Sequence, residues 1–576
     1  MACLFFSGSY GIAGDDPSPE GSRSSDQVFP FDIVINEIMV RPAPSAGLPE
    51  VEYIELYNRS GKTVNLQNWT IAVGSGSRII PGEKVMDPGG FLLITNEKNS
   101  HQLKVFGDVA GIASLPSLPA GGQAIVLRDA AANVISAIKY SDKWYRNDFK
   151  TSGGWSLEQI DPFNPCGGAA NWRASADGSG GTPGRENSVR RNNPDRTAPR
   201  AVRASILSES SLRIHFSESM HPAADWLPSH FYADGPGTPL YAYPVKPFYD
   251  AVDLYFGGKL EENRIYNLHI SGSALYDCAG NFLAADNEGI RFGLPCAPAK
   301  NDIIINEILF NPLPGGATFI EIVNTAERTF DLKHLLISGF RQGQPGPSYI
   351  MAPGGFLFFP GQYLVLTTDP ETVTDHYYCP FPDSFVKMDR LPPLGNDNGR
   401  VMISGLQMEV LEDVSYSADM HSPLLANKKG VSLERLRFDR PSGDLSNWHS
   451  AAENSGFATP GYANSQLAGL SAGQKAAITV EPKMFFPEKS IDHKVSIHYD
   501  LDRPGYAGTI TIFDPGGRLV RRLARNELLG TSGKYVWDGR NEANYLSVRG
   551  IYIILVEVFH PDGETKSFRE PVVLAR

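Results

Sequence analysis

The sequence predicts an all-β chain made of tandem sandwich domains, and three observations carry that prediction. Apolar residues come in short β-branched or aliphatic runs framed by turn residues, as in Ala124-Ile125-Val126-Leu127 between Gly121-Gly122 and Asp129. That is the pattern of short strands, not of long helices. The 57 glycines and 43 prolines make about 17% of the chain against a usual level of roughly 12%, which favours many turns. The third observation is a duplication. Asp32-Ile33-Val34-Ile35-Asn36-Glu37-Ile38 returns as Asp302-Ile303-Ile304-Ile305-Asn306-Glu307-Ile308, and ordered self-similarity marks a repeated structural unit.

Later landmarks keep step with this opening strand. Tyr53-Ile54-Glu55-Leu56-Tyr57-Asn58 is answered by Phe319-Ile320-Glu321-Ile322-Val323-Asn324, and Pro88-Gly89-Gly90-Phe91 by Pro360-Gly361-Gln362-Tyr363. Ser156-Leu157-Glu158, Asn171-Trp172 and Thr182-Pro183-Gly184 are answered by Ser432-Leu433-Glu434, Asn447-Trp448 and Thr459-Pro460-Gly461. Spacing between copies drifts slowly, as loop insertions produce. On these motifs each copy resembles the lamin tail domain, which implies an immunoglobulin-like β-sandwich. The fold class expected is therefore all-β, with immunoglobulin-like β-sandwiches in tandem.

At 576 residues the chain is too long for one core, and normal domain sizes suggest about four. In order, residues 1–30 read as a leader, 31–187 as the first lamin-tail-like domain and 188–196 as a polar linker. Residues 197–298 form a second domain, 299–464 the second lamin-tail-like copy, 465–475 a small-residue linker and 476–576 a last sandwich. Within the leader, Met1–Gly14 is a partial match to a signal peptide: Gly11-Ile12-Ala13 suits signal peptidase, but no Lys or Arg opens it. Asp15–Gln27 reads as disordered. In the second domain, Phe216-Ser217-Glu218 and Asp277-Cys278-Ala279-Gly280-Asn281 resemble bacterial surface immunoglobulin-like modules. Val536-Trp537-Asp538-Gly539-Arg540 and Gly550-Ile551-Tyr552 resemble flagellar hook-capping domains and C-terminal sorting domains of the type IX secretion system.

A net charge of −12 argues against a nucleic-acid partner, which a basic face would favour. No apolar run approaches the roughly 20 residues needed for a membrane-spanning helix. Cys278 and Cys296 fall in one expected domain. A disulfide there would stabilise by about 3 kcal/mol in an oxidising compartment, and the alternative is two buried thiols.

Catalytic constellations do not emerge. Gly-x-Ser-x-Gly and His-Glu-x-x-His are missing, and Gly61-Lys62-Thr63 follows Leu56 where a phosphate loop needs Gly. The sequence names no cofactor. The polar residues that stand out are Glu37 with Glu55 and their counterparts Glu307 with Glu321. Carboxylates on adjacent strands can act as an acid–base pair or hold a cation, and can equally cap donors within a sandwich. Trp144-Tyr145 on an aromatic loop is either a binding surface or packing at the sandwich end. Asp277 and Asn281 could offer oxygens to Ca²⁺, with few acidic neighbours in sequence.

These readings point to a non-enzymatic secreted or cell-surface protein of a Gram-negative bacterium, associated with the outer membrane. It would act in adhesion, scaffolding or envelope complexes, with a protein or glycan partner. The alternative is an accessory or carbohydrate-binding component of a secreted nuclease or phosphatase system. The sequence does not define an oligomeric state.

Overall fold

The computed structural model describes residues 27–272, 274–285, 288–341, 344–467, 475–488 and 493–575. Residues 1–26 of the expected leader and 468–474 of the expected second linker lie outside the described residues. The fold is all-β.

The first sandwich has a six-stranded sheet, in the order Trp172–Ala174, Leu157–Gln159, Ile33–Met39, Tyr53–Asn58, Phe91–Asn96 and Val109–Ile112. Opposite lies a four-stranded sheet: Val134–Ser141, Gly122–Arg128, Thr70–Val73 and Gly76–Ile79. The second copy repeats this arrangement. Its six-stranded sheet centres on Phe319–Asn324, Ile303–Leu309 and Leu433–Arg435, its four-stranded sheet on Leu335–Arg341 and Asn398–Gly405.

Both opening strands are buried at all seven positions. A strand with one wet face would alternate, so both faces must be covered. Ile33, Ile35 and Ile38 point into the core between the sheets. The switch from odd to even positions occurs at a β-bulge between Ile35 and Glu37, repeated between Ile305 and Glu307. Adding one residue re-aims every side chain beyond it, which turns Glu37 outward beside Glu55. The last residues of the domain fold back over that outer face.

The second domain packs a four-stranded sheet, Ala201–Ser208, Ser211–Phe216, Ala251–Tyr255 and Tyr241–Pro244, on a three-stranded one. The fourth packs a three-stranded sheet on five strands around Gly550–Phe559 and Thr565–Leu574.

Domains are joined by specific bonds. The Arg203 guanidinium donates to the Gly355 carbonyl at 2.7 Å and Lys333 donates to the Ile206 carbonyl at 2.9 Å, tying the second domain to the third. Gln466 Nε2 donates to the Leu529 carbonyl at 2.9 Å, tying the third to the fourth. The stretch expected as a free linker after residue 187 is bonded to the first sandwich. Arg191 N–H donates to the Ile160 carbonyl at 3.0 Å and Asn193 N–H to Asp161 at 2.9 Å.

The disulfide expectation is corrected. Cys278 pairs with Cys166 across the first two domains, with 5.9 Å between Cα atoms, and Cys296 is a free thiol. Cys296 has already left the second domain: its backbone N–H donates to the Thr329 carbonyl at 3.0 Å in the third. The Asp277 turn instead holds Cys278 against the end of the first domain.

Candidate functional site

The structure brings Glu37 and Glu55 together and adds a third carboxylate. Glu37 stands opposite Glu55 on one side and Glu158 on the other. Glu307 stands in the same way between Glu321 and Glu434. All six side chains are fully buried at 0% exposure. Among the described residues no cation forms an ion pair with them, so hydrogen-bond donors must stabilise whatever charge they carry.

The Thr-Pro-Gly turn supplies those donors. Thr182 N–H donates to Glu37 at 2.9 Å, Thr182 Oγ1 to Glu158 at 2.9 Å and Gly184 N–H to Glu55 at 2.6 Å. Pro183 has no N–H, so the turn leaves no donor unpaired between the two that are used. The Tyr53 hydroxyl donates to Glu37 at 2.6 Å, Asn36 to Glu55 at 2.9 Å and Ser188 to Glu158 at 2.7 Å. In the second copy Thr459 N–H donates to Glu307 at 2.9 Å, Thr459 Oγ1 to Glu434 at 2.8 Å and Gly461 N–H to Glu321 at 2.6 Å. Ser432 donates to Glu307. The bulged Asn36 and Asn306 exchange amide bonds with Asn187 and Asn464 beside each cluster.

Burial, and then the neighbouring Glu158 charge, pushes Glu37 up to about 7; burial and Glu434 push Glu307 up to about 8. Glu55 and Glu321 are held well above the carboxylate range by burial and by Glu37 and Glu307. Protons are therefore retained in both clusters at neutral pH. With no exposed oxygen and every carboxylate already accepting bonds, the clusters have no surface for a substrate. Chemically they latch the end of each domain onto its first strand.

The Trp144–Tyr145 loop does not form an exposed aromatic surface. Tyr145 is buried and its hydroxyl donates to the Trp155 carbonyl at 3.0 Å. Trp144 is half-buried with its ring 5.8 Å from that of Trp172. It lines a cavity of about 260 Å³ between the first two domains, with Phe31, Met220, Phe248 and Tyr249. A packed ring and an exposed one look alike in a loop sequence; of the two readings, binding surface or packing at the sandwich end, the rings are placed as in the second.

One acidic group could hold a cation. Ligand oxygens of Asp195, Glu218 and Asp277 lie within 4.8 Å of one another. Burial, then Asp195 and Asp277, pushes Glu218 up to about 7. Asp277 also accepts from the backbone N–H of Ala279 and Asn281, both at 2.8 Å, as an ordinary Asx turn does. Asn281 turns its amide group toward Asp277 and donates at 2.8 Å.

Sequence reasoning singled out two of the three glutamates in each cluster. Glu158 and Glu434 stood in view only as part of the Ser-Leu-Glu landmark. The signal was there: a Glu inside an apolar strand at matching places in both copies.

No curated protein matches this chain. Solved structures similar to parts of it include the N-terminal part of the bacterial S-layer protein SbsC, at 13% identity and a TM-score of 0.17. That alignment covers 38% of this chain and 44% of that N-terminal part, less than half of its length. Dimeric latent PorU from Porphyromonas gingivalis aligns at 9% identity and TM-score 0.15, over 70% of this chain and 35% of that one. A Ca²⁺-stabilized adhesin with which an Antarctic bacterium binds ice aligns at 8% identity and TM-score 0.12, over 95% and 100%. Likenesses at these scores carry no argument about function. The family match is local: residues 30–142, most of the first sandwich, fit the model of the Lamin Tail Domain.

Proposed function

We propose that this chain is a non-enzymatic, exported modular protein that works at the cell surface as an adhesion or scaffolding component. The carrying observation is the disulfide between Cys166 and Cys278. A structural bridge joining two domains needs an oxidising compartment, and cytosolic thiols are kept reduced. The buried carboxylates support the same reading, because they are engaged in holding each sandwich closed. The last domain, with its likeness to hook-capping and type IX sorting domains, serves in this reading as the address or anchor at a Gram-negative outer membrane.

The test is mass spectrometry of the native protein from separated cytosolic, envelope and medium fractions, with free thiols alkylated before reduction. Export predicts the chain in envelope or medium with Cys166 and Cys278 protected and linked. A cytosolic chain with both thiols alkylated overturns the proposal. The same spectra report whether the final domain stays attached, and hence whether it acts as anchor or as removable address.

A further inference from the structure

We propose that the outer face of the second domain's four-stranded sheet binds a neutral glycan, held by Tyr241, Tyr243 and Tyr255 around the Arg213–Asp253 pair. This deepens the surface reading above and rests on it.

The face follows from strand parity. Leu212, Ile214, Val252 and Leu254 point into the core, so Arg213, Asp253 and Tyr255 point out. Cross-strand register sets them in rows. Tyr243 lies opposite Asp253, Asp253 opposite Arg213 and Arg213 opposite Ser205; Tyr241 lies opposite Tyr255. Tyr241 and Tyr243 are each 55% exposed and Tyr255 39%. Their rings touch: Tyr241 and Tyr243 have centroids 5.9 Å apart with planes 10° from parallel, and Tyr243 and Tyr255 also lie 5.9 Å apart. Grouped aromatic rings on a solvent-facing sheet supply apolar contact area with a polar handle that a partner can use.

The charges decide what partner fits. Asp253 takes two bonds from the Arg213 guanidinium, at 2.6 and 2.9 Å. Burial, with Arg203 and Arg213 nearby, holds His215 down at about 3, so its imidazole is neutral. Arg203, Asp250 and, from the third domain, Asp331 with its partner Lys333 at 3.1 Å are the other charged groups acting on this patch, so three cations meet three anions. A face that closes its own charges offers nothing to a polyanion, and the chain's −12 repels one. It does offer fixed donors and acceptors beside apolar ring surface, the combination that a polyhydroxylated, uncharged ligand needs.

Size and position exclude the rivals. Three half-exposed tyrosines present on the order of 300 Å², well short of the roughly 800 Å² per partner of a stable protein interface. Strand addition at the free edge is limited, because Tyr241–Pro244 has four residues and ends in a proline without an N–H. The face also continues an established contact. At its far margin Arg203 and Ser205 donate to the Gly355 carbonyl of the third domain, at 2.7 and 3.2 Å. The third domain thus stands at one side of the free face.

The test is affinity electrophoresis of the full chain through gels containing hydroxyethylcellulose, galactomannan or starch, with anionic polygalacturonate as the contrast. We expect retardation by at least one neutral polymer, weakened 10-fold or more in Tyr241→Ala and Tyr243→Ala, and none by polygalacturonate. Both rings are exposed, so melting temperature should hold; if Tyr243→Ala unfolds, Tyr241→Ser at the sheet edge reads the same contact. No retardation in any neutral gel, retardation unchanged in both variants, or binding to polygalacturonate alone overturns the proposal. Biotinylation of intact cells separates the two readings. Labelled chain without glycan retardation removes the glycan site alone, and retardation without labelling removes the surface reading alone.

Discussion

Glu37 and Glu158 stand directly opposite each other on neighbouring strands, and the single hydroxyl of Thr182 reaches both, at 3.4 and 2.9 Å. Two carboxylates placed this way without a cation cannot both carry charge cheaply. The pair is stable because protons and neutral donors replace counter-ions. The same arrangement recurs at Glu307, Glu434 and Thr459.

Stability should fall as pH rises. Glu37 and Glu307 have folded values of about 7 and about 8 against an ordinary 4.5. Below 4.5 both folded and unfolded states hold the proton and stability is fully present. Between 4.5 and the folded values the unfolded chain releases protons that the folded chain retains, so these two groups withdraw stability until pH 7–8, and Glu55 and Glu321, held well above the carboxylate range, extend the decline beyond it. At about 1.4 kcal/mol per pH unit, the Glu37 and Glu307 values alone correspond to about 3 and about 5 kcal/mol. Urea midpoints from pH 4.5 to 9 check it, and Glu37→Gln should shrink the decline in a form of the chain lacking the second copy's contribution, Glu307→Gln.

Replacing the turn glycines should separate the two copies. Both Gly184 (φ +76°) and Gly461 (φ +88°) are left-handed, but a Cβ on Gly184 would sit 1.8 Å from the Phe106 carbonyl oxygen, whereas on Gly461 the nearest atom is 3.5 Å away. Gly461→Ala should cost about 1 kcal/mol for its backbone conformation. Gly184→Ala should cost clearly more, since backbone must move. Thermal unfolding of each variant reads the difference.

The inter-domain bridge should matter and the free thiol of Cys296 should not. Cys166 and Cys278 are 112 residues apart in sequence, and closing a loop of that order stabilises by about 4–5 kcal/mol in the chain-entropy model. Cys166→Ser and reductant should lower the melting temperature by similar amounts. Cys296→Ser should leave it within a degree or two, as the residue lies only partly buried at the margin of the third domain's core and a hydroxyl can keep the 3.5 Å bond to the Thr329 carbonyl.

The copies differ at one exchanged pair. Where the first has Ser136 and Gln159, the second has Glu412 and Arg435, buried at 4% and 1% exposure and joined at 2.9 Å. Removing one partner leaves a buried charge, so Arg435→Gln should cost about 3–5 kcal/mol. Glu412→Ser with Arg435→Gln, which installs the first copy's pair, should recover most of that. A double-mutant cycle in urea measures the recovery.

The repeat, the strands and four of the six cluster glutamates were legible in sequence because strands buried on both faces leave unbroken apolar runs in which a Glu stands out. The Cys166–Cys278 pairing was not, since it joins two domains and depends on how they pack. Trp144 and Tyr145 drew attention as loop aromatics, yet the group of exposed tyrosines in mutual contact is Tyr241, Tyr243 and Tyr255. Their alternation reads as an ordinary half-buried strand, and Tyr255 joins them only through register with Tyr241.

The latch also sets when each sandwich can be finished. Thr182 meets a glutamate 145 positions earlier, and Thr459 one 152 positions earlier. A chain emerging from its N-terminus therefore carries glutamates that Tyr53 and Asn36 satisfy only in part until the closing turn adds the Thr182 and Gly184 donors. Contacts this remote are slow to form, and a fragment cut at residue 142 would lack the closing turn altogether. Each latch is thus completed only after the last residues of its own domain have been made.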